Sequence, residues 1–159
     1  MSKKNKVGVG TSTQRYIKQL EDAKAALKVC SNVFVYGSLK HGEGNSGILS
    51  TCDLVAETQT LSQWVLGDIG FPYAFPSTIT PPEHKDLLFP VKGEVYAVTG
   101  EDKYRVFTNL DGLEGYPSHY NRTVIRTVSG HYAWMYIQED WDCTEYCAPC
   151  KLEEGVWVW

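Results

Sequence analysis

The chain has 159 residues and a formal charge of −4, from 15 basic and 19 acidic side chains. This length favours a single domain with a sizeable core. A content of 43% hydrophobic and 21% charged residues is too apolar for a disordered chain. The mild acidity also argues against a protein that coats nucleic acid, because such proteins carry a strong positive excess.

The charge is unevenly distributed along the chain. Residues 1–28 carry a net charge of +5, and residues 138–159 carry a net charge of −5. The two ends either attract each other across the fold or are separately solvated, since exposed charge pairs contribute little to stability.

Composition also predicts the compartment. No stretch approaches the roughly 20 apolar residues that a membrane helix needs, and the first residues lack the apolar core of a signal peptide. The five cysteines are an odd number, which argues against a complete disulfide framework. We therefore expect a cytoplasmic protein that binds no membrane and no nucleic acid, and the composition leaves its oligomeric state unknown.

In the first half of the chain, helical periodicity predicts a helix over residues 11–29. Its apolar residues recur at spacings of three or four: Tyr16, Leu20, Ala23 and Leu27. The apolar run Val33–Gly37 predicts a strand. Residues 40–47 are polar and rich in glycine, which predicts a loop, and residues 48–67 predict one or two strands.

The second half begins with residues 70–90, which hold five of the seven prolines and are predicted to be mostly irregular. Alternation predicts a strand over residues 91–98, and an apolar face predicts a helix over residues 101–113. Residues 122–137 read as a β-hairpin with a two-residue turn at Ser129 and Gly130. The elements together predict a mainly β domain with two or three helices.

Two motifs suggest a cofactor or a metal. Residues 42–47 spell G-x-G-x-x-G, but no helix is predicted to begin there, as dinucleotide binding requires. The spacing of Cys143, Cys147 and Cys150 suits a structural zinc ion, with Cys52 or His131 as the fourth ligand. Three free thiols explain the same spacing, so the sequence assigns no metal and leaves zinc as an alternative.

The strand Val33–Gly37 ends in a turn that could bind an anion. Backbone N–H groups of Gly37, Ser38 and Leu39 would point outward there and form a concave site suited to a carboxylate. The alternative is an ordinary turn between a strand and a loop. Ser38 itself is a weak nucleophile candidate, because the turn lacks the G-x-S-x-G pattern.

Glu114 falls on the apolar face of the second predicted helix, about 20° from Phe107 and about 40° from Leu110 on a helical wheel. Burial of a carboxyl is costly and raises its pKa, which suits a general acid/base. The alternatives are a helix that ends before Glu114, or a carboxylate that caps local backbone or pairs with Arg122.

Five sequence segments carry a family resemblance. They are Val35-Tyr-Gly-Ser-Leu39 with Lys40-His-Gly42-x-x-Asn45, then Gly93-Glu-Val-Tyr96, Leu110-Asp-x-x-Glu114-Gly-Tyr-Pro117, Tyr120-x-Arg122 and Ala133-Trp-Met-Tyr136. In order and spacing they resemble the gamma-glutamylcyclotransferase-like family. The resemblance covers about residues 32–137, and it divides the chain into a leader and helix (1–30), a family domain (31–137) and an acidic tail with cysteines and tryptophans (138–159).

The resemblance implies an α+β fold, a small mixed β-barrel with flanking helices. It implies an enzyme without a cofactor, which cyclises a small-molecule γ-glutamyl amide to 5-oxoproline and releases an amine. Glu114 would be the catalytic acid/base. The substrate-binding residues would be Tyr36, Gly37, Ser38, Leu39 and Tyr120.

The sequence is compatible with two other functions. A catalytically silent binding module would keep the turn at residues 36–39 and hold a carboxylate ligand or a partner with it. The presence of Glu114 favours the enzyme, because a binder has no use for a carboxylate beside an anionic ligand. A zinc-dependent interaction protein would use the tail cysteines.

Overall fold

The computed structural model describes residues 9–36, 46–68, 72–140 and 148–149. Within them lie two α-helices, α1 (Val9–Val29) and α2 (Lys103–Glu114). The strands are β1 (Asn32–Val35), β2 (Asp53–Asp68), β3 (Pro72–Pro76), β4 (Phe89–Ala97), β5 (Asn121–Arg126), β6 (Tyr132–Ile137) and β7 (Ala148–Pro149). Three short 3-10 helices span Ser46–Leu49, Ser77–Ile79 and Pro82–Leu87.

The strands form one mixed sheet in the order β3-β2-β4-β1-β6-β5, and β7 pairs with the end of β2. Strand β1 runs antiparallel to β4 and parallel to β6. The sheet curls until its two ends meet. Thr60 of β2 forms an antiparallel bridge with Thr127, and the Gln138 N–H donates to the Ala74 carbonyl at 2.9 Å. The predicted mixed β-barrel with flanking helices is confirmed as a curled α+β fold.

Alternation along the strands creates two apolar clusters, one on each face of the sheet. The inner cluster fills the curl, and its largest fully buried members are Phe34, Leu66 and Met135. The outer cluster lies between the sheet and the two helices. It includes residues of both helices, such as Ala23 and Phe107.

Helix α1 packs on this outer face through a narrow stripe. Ala23 and Ala26 are buried there, and Leu27 packs beside them. The indole Nε1 of Trp134, on β6, donates to the carbonyls of Ala26 at 3.3 Å and Cys30 at 3.0 Å. These carbonyls belong to the C-terminal end of α1, where the Ala26 carbonyl also accepts the Cys30 N–H at 3.0 Å. The helix is thereby attached to the sheet at its end.

Both predicted helices and the strands at β1, β4, β5 and β6 are confirmed. Residues 48–67 contribute one long strand, β2, preceded by a 3-10 turn. The prediction that residues 70–90 are mostly irregular was wrong for Pro72–Pro76, which form β3. Prolines are tolerated there because β3 lies at the edge of the sheet order, where fewer backbone donors are needed.

The predicted two-residue hairpin turn was also wrong. The loop between β5 and β6 has three residues between Thr127 and His131, whose backbones are joined by a hydrogen bond of 2.9 Å. Gly130 takes φ +88°, and its N–H donates to the Thr127 carbonyl at 3.0 Å. Three-residue hairpin loops use a glycine in this conformation at their last position.

Within the described ranges, no helix is long and apolar enough to cross a membrane.

Candidate active site

The C-terminal end of α2 places Glu114 as its last residue. The Tyr116 N–H donates to the Asp111 carbonyl at 2.9 Å, and the Gly115 N–H donates to the Gly112 carbonyl at 3.2 Å. This pair of bonds is a Schellman motif, which ends helices at a left-handed residue. Gly115 has φ +68°, and a Cβ on it would lie 2.8 Å from the His119 Cβ. The glycine therefore ends the helix directly after Glu114 and allows the following loop to fold back.

The carboxyl of Glu114 is half-buried, and burial raises its pKa from 4.5 to about 7. The negative end of the helix dipole acts in the same direction. Among the described residues the Glu114 carboxyl has neither a hydrogen bond nor an ion pair. A carboxyl with a pKa near neutrality can both take and return a proton at physiological pH.

A second carboxylate, Asp111, lies one turn earlier on α2 and is fully paired. Arg122 of β5 donates to it from Nε at 3.0 Å and from Nη2 at 3.2 Å. Both side chains are only 5% exposed. The guanidinium also lies 3.9 Å from the ring centre of Tyr116 and 5.0 Å from that of Phe107. Arg122 therefore pairs with Asp111, not with Glu114.

Tyr136 of β6 connects this ion pair with the strand that leads to the predicted anion-binding turn. Its hydroxyl donates to Asp111 Oδ1 at 2.6 Å, and its carbonyl accepts the hydroxyl of Tyr36 at 2.7 Å. Burial, followed by the charge and hydrogen bond of Asp111, raises the Tyr136 pKa well above its usual value. The phenol therefore stays protonated and acts as a donor. Its pKa also responds to Glu114, so the two groups are close enough to interact electrostatically.

Tyr36 and Tyr120, two of the substrate-binding residues predicted from the sequence, are buried. Tyr120 is buried in the outer cluster, which also contains Tyr136, and its ring meets that of His119 edge-on at 5.2 Å. Tyr36 is buried in the inner cluster, with its hydroxyl directed to Tyr136. Tyr36 is thus bonded to the backbone of Tyr136, and Glu114 interacts electrostatically with the Tyr136 side chain. Gly37, Ser38 and Leu39 lie outside the described residues.

The backbone leading into that turn is tightly held by β4. Val35 pairs with Glu94, and a Cβ on the preceding Gly93 would lie 2.2 Å from the Val35 carbonyl oxygen. Only glycine allows the two backbones to approach so closely. The Glu94 side chain is buried and accepts the hydroxyl of Tyr96 at 3.0 Å. The motif Gly93-Glu-Val-Tyr96 therefore fixes the end of β1.

Metal ligation is not visible in the described part of the chain, where no three His, Cys, Asp or Glu side chains cluster. Cys30 and Cys52 are free thiols there. Cys143, Cys147 and Cys150 lie outside the described residues, so the zinc hypothesis stays a prediction.

Sequence reasoning missed Asp111 and Tyr136 as parts of this site. Asp111 is 40° from Phe107 on the same wheel that singled out Glu114, so its burial was open to the same argument. Its partner Arg122 was assigned to Glu114 as an alternative because the sequence does not show which carboxylate it reaches.

Comparison with known proteins relates the chain to one family. The model of the family "Gamma-glutamyl cyclotransferase, AIG2-like" matches residues 33–158. The chain belongs to this family. A candidate gamma-glutamylcyclotransferase of Vibrio cholerae serotype O1 is 37% identical over 108 residues, which cover 68% of this chain and 82% of that protein. The gamma-glutamylcyclotransferase family protein YtfP of Escherichia coli K12 is 32% identical over 108 residues, covering 67% and 81%.

The fold is shared with a solved AIG2-like protein of Mus musculus. That structure superposes with a TM-score of 0.54 at 22% identity, over 73% of this chain and 81% of the mouse chain. The family match contains α2 and the residues around Glu114. Membership in the AIG2-like family supports a gamma-glutamylcyclotransferase-like enzyme with a small-molecule substrate.

Proposed function

We propose that the protein cyclises a γ-glutamyl amide to 5-oxoproline and releases the free amine, with Glu114 as the acid/base. The observation that carries this proposal is the half-buried Glu114 carboxyl, with a pKa of about 7, at the end of α2. It lies in the family's matched region and beside the buried Asp111–Tyr136 cluster.

The substrate supplies its own nucleophile, so the enzyme needs no activated serine or cysteine. The ionised carboxylate of Glu114 takes a proton from the substrate's α-ammonium, and the freed amine attacks the γ-carbonyl carbon. A carbon–nitrogen bond forms within the new ring, and the bond to the leaving amine breaks. Glu114 then returns its proton to the leaving nitrogen. The ring nitrogen loses a second proton after the attack, and this proton also passes through Glu114 to the leaving group, which departs as an ammonium ion. Protons and bonds therefore balance without water or a cofactor.

Orientation is the other requirement, because ring closure is fast only when the amine lies near the carbonyl carbon. In our proposal the turn at Tyr36, Gly37, Ser38 and Leu39 binds the glutamyl part of the substrate through its backbone. Tyr120 lines the pocket on the side of the outer cluster. The tight Gly93–Val35 contact supports this role, because it fixes the strand from which the turn starts.

The test is a panel of γ-glutamyl amides and γ-glutamyl amino acids, assayed for 5-oxoproline with the wild type and with Glu114→Gln. We expect at least one substrate to be turned over, and a loss of about 10²–10⁴-fold in kcat for Glu114→Gln with binding retained. Glu101→Gln is the matched control, because Glu101 is exposed and precedes the same helix.

Two outcomes would contradict the proposal. A Glu114→Gln variant with near-wild-type kcat would remove Glu114 from the mechanism. A wild type that binds γ-glutamyl compounds in calorimetry, yet releases no 5-oxoproline from any of them, would support the catalytically silent binding module instead.

A further inference from the structure

Two carboxylates three residues apart on α2 have opposite surroundings. Asp111 accepts three hydrogen bonds, two from Arg122 and one from Tyr136. Glu114 accepts none among the described residues. Side chains at this spacing on a helix are neighbours, with Cβ atoms about 5–6 Å apart. One of the donors that bind Asp111, Tyr136, is also close enough to Glu114 to interact with it electrostatically.

The Arg122 guanidinium must pair with a carboxylate at its position. Its side chain is 5% exposed and is packed against the rings of Tyr116 and Phe107. An arginine remains charged in any such site, and an unpaired buried charge is strongly unfavourable. Its Nε and Nη2 groups donate to the two oxygens of the Asp111 carboxylate, one to each.

If Arg122 were bound to Glu114, the proposed chemistry would stop. A carboxylate held by a bidentate guanidinium is stabilised in its ionised form, and its oxygens are occupied. It would be a poor acceptor for the substrate's proton and a poor donor to the leaving amine. A hydrogen bond from the Tyr136 hydroxyl to Glu114 would have the same effect on Glu114. That hydroxyl donates to Asp111 instead.

The other titratable groups near this end of α2 come from two neighbouring segments. Tyr116, His119 and Tyr120 lie in the loop that follows the helix, and Lys18 of α1 interacts electrostatically with Tyr116. The 3-10 helix Ser46–Leu49, which also packs on α2, carries no titratable side chain. Arg122 is therefore the buried cation of this region within the described residues.

We propose that Asp111 is a positioning residue, which binds Arg122 and Tyr136 so that neither engages the carboxyl of Glu114. The same bonds attach the last turn of α2 to β5 and β6. In terms of catalysis this rests on the proposed function, in which Glu114 must stay able to exchange a proton. The effect of Asp111 on the ionisation of Glu114 does not depend on the proposed reaction and can be tested without turnover.

The first test is a carbon-13 NMR titration of the glutamate side-chain carboxyls, with the Glu114 signal assigned by its loss in Glu114→Gln. Asp111→Asn keeps the shape of the side chain and removes its charge, so Arg122 loses its partner. We expect the Glu114 midpoint to fall by about 1–3 pH units, the effect of an opposite charge within 4–6 Å. The double variant Asp111→Asn with Arg122→Gln should bring the midpoint back towards that of the wild type.

The second test is the kcat of the same variants. We expect Asp111→Asn to lower kcat by about tenfold or more while KM changes less. Removing the Arg122 charge as well should recover part of the lost kcat, which a merely structural defect would not do. Asp102→Asn is the matched control, because Asp102 forms an exposed ion pair with Arg105 at the other end of α2.

The outcomes separate the two proposals. An unmoved Glu114 midpoint in Asp111→Asn, or a double variant that titrates like the single one, would overturn the role of Asp111. A wild type without cyclotransferase activity, but with the expected NMR shifts, would overturn the proposed function and leave the electrostatic role of Asp111 standing. Far-ultraviolet circular dichroism and urea unfolding of each variant verify that it is folded.

Discussion

The ionisation of Glu114 sets how activity should depend on pH. The carboxyl must be ionised to accept a proton from the substrate, and burial raises its pKa to about 7. We expect kcat/KM to rise with pH through an apparent pKa near 7 and then to level off. This is measured with one γ-glutamyl substrate between pH 5 and 9. A profile whose acid limb has its midpoint near 4.5, the ordinary value for a glutamate, would contradict the assignment.

The same carboxyl should cost the protein stability at alkaline pH. Its pKa is higher in the folded protein than in the unfolded chain, so the folded state binds the proton more strongly. The wild type therefore loses stability as the pH rises from about 4.5 to about 7. Glu114→Gln cannot ionise, and we expect it to be more stable than the wild type at pH 8, by on the order of 1–3 kcal/mol.

Urea unfolding at pH 4.5 and pH 8 measures this difference. The two proteins should have similar stability at pH 4.5, where both side chains are neutral. Glu101→Gln serves as the control, because an exposed substitution should change stability by no more than about 0.5 kcal/mol at either pH. A Glu114→Gln variant that is less stable than the wild type at pH 8 would show that the carboxylate is stabilised by its surroundings.

At the residue scale, the sequence predicted Glu114 and not its environment. The helical wheel places Glu114 on an apolar face, and this requires only local periodicity. The partner of Arg122 depends on how β5 packs against α2, eleven residues away in sequence from Asp111. Such a contact is set by tertiary packing, which spacing alone does not specify.

At the scale of elements, local patterns were reliable where the period was unbroken. The helices and the β5–β6 hairpin follow from periodicity and from the glycine of the loop. Strand β3 was missed because its residues, Pro72–Pro76, begin and end in proline. Its pairing with Trp64–Asp68 of β2 compensates for the unfavourable local sequence. Tertiary contacts within the sheet, and not the local sequence, therefore make these residues a strand.

The contact between β1 and β4 gives a prediction at this scale. A Cβ on Gly93 would lie 2.2 Å from the Val35 carbonyl oxygen and 2.7 Å from Phe34 Cζ, so Gly93→Ala must separate the strands. We expect a loss of about 1–3 kcal/mol in the free energy of unfolding. KM for the substrate should increase, because the turn at residues 37–39 starts from the displaced strand. Urea unfolding and steady-state kinetics measure both effects.

Gly112→Ala is the matched control for this substitution. Gly112 is exposed within α2, and nothing lies within 4 Å of the position of its added Cβ. Alanine should therefore stabilise the helix by up to about 1 kcal/mol relative to glycine. If Gly93→Ala were as stable as the wild type with an unchanged KM, the close approach of β1 and β4 would have no role in placing the turn.

At the scale of the whole molecule, contacts between its two ends close the curled sheet. Strand β2 is long enough to pair with β3 and β4 and still meet the end of the hairpin at Thr60. The Thr60 side chain is fully buried. Its Oγ1 donates to the Ser62 carbonyl at 2.6 Å and accepts the Val91 N–H at 2.9 Å. One hydroxyl thus organises β2 and β4 at the point where the barrel closes.

Thr60→Val tests this closure, because valine has nearly the same shape and lacks the hydroxyl. The buried Val91 N–H would lose its acceptor, so we expect unfolding to become easier by about 1–3 kcal/mol. Hydrogen exchange at the Val128 amide, which donates to the Gln59 carbonyl at 2.9 Å beside the bridge, should accelerate. Thr108→Val is the control, since among the described residues its hydroxyl bonds only the Tyr104 carbonyl within α2. If Thr60→Val kept both its stability and its protection at Val128, closure would depend on the backbone bridge alone and not on this hydroxyl.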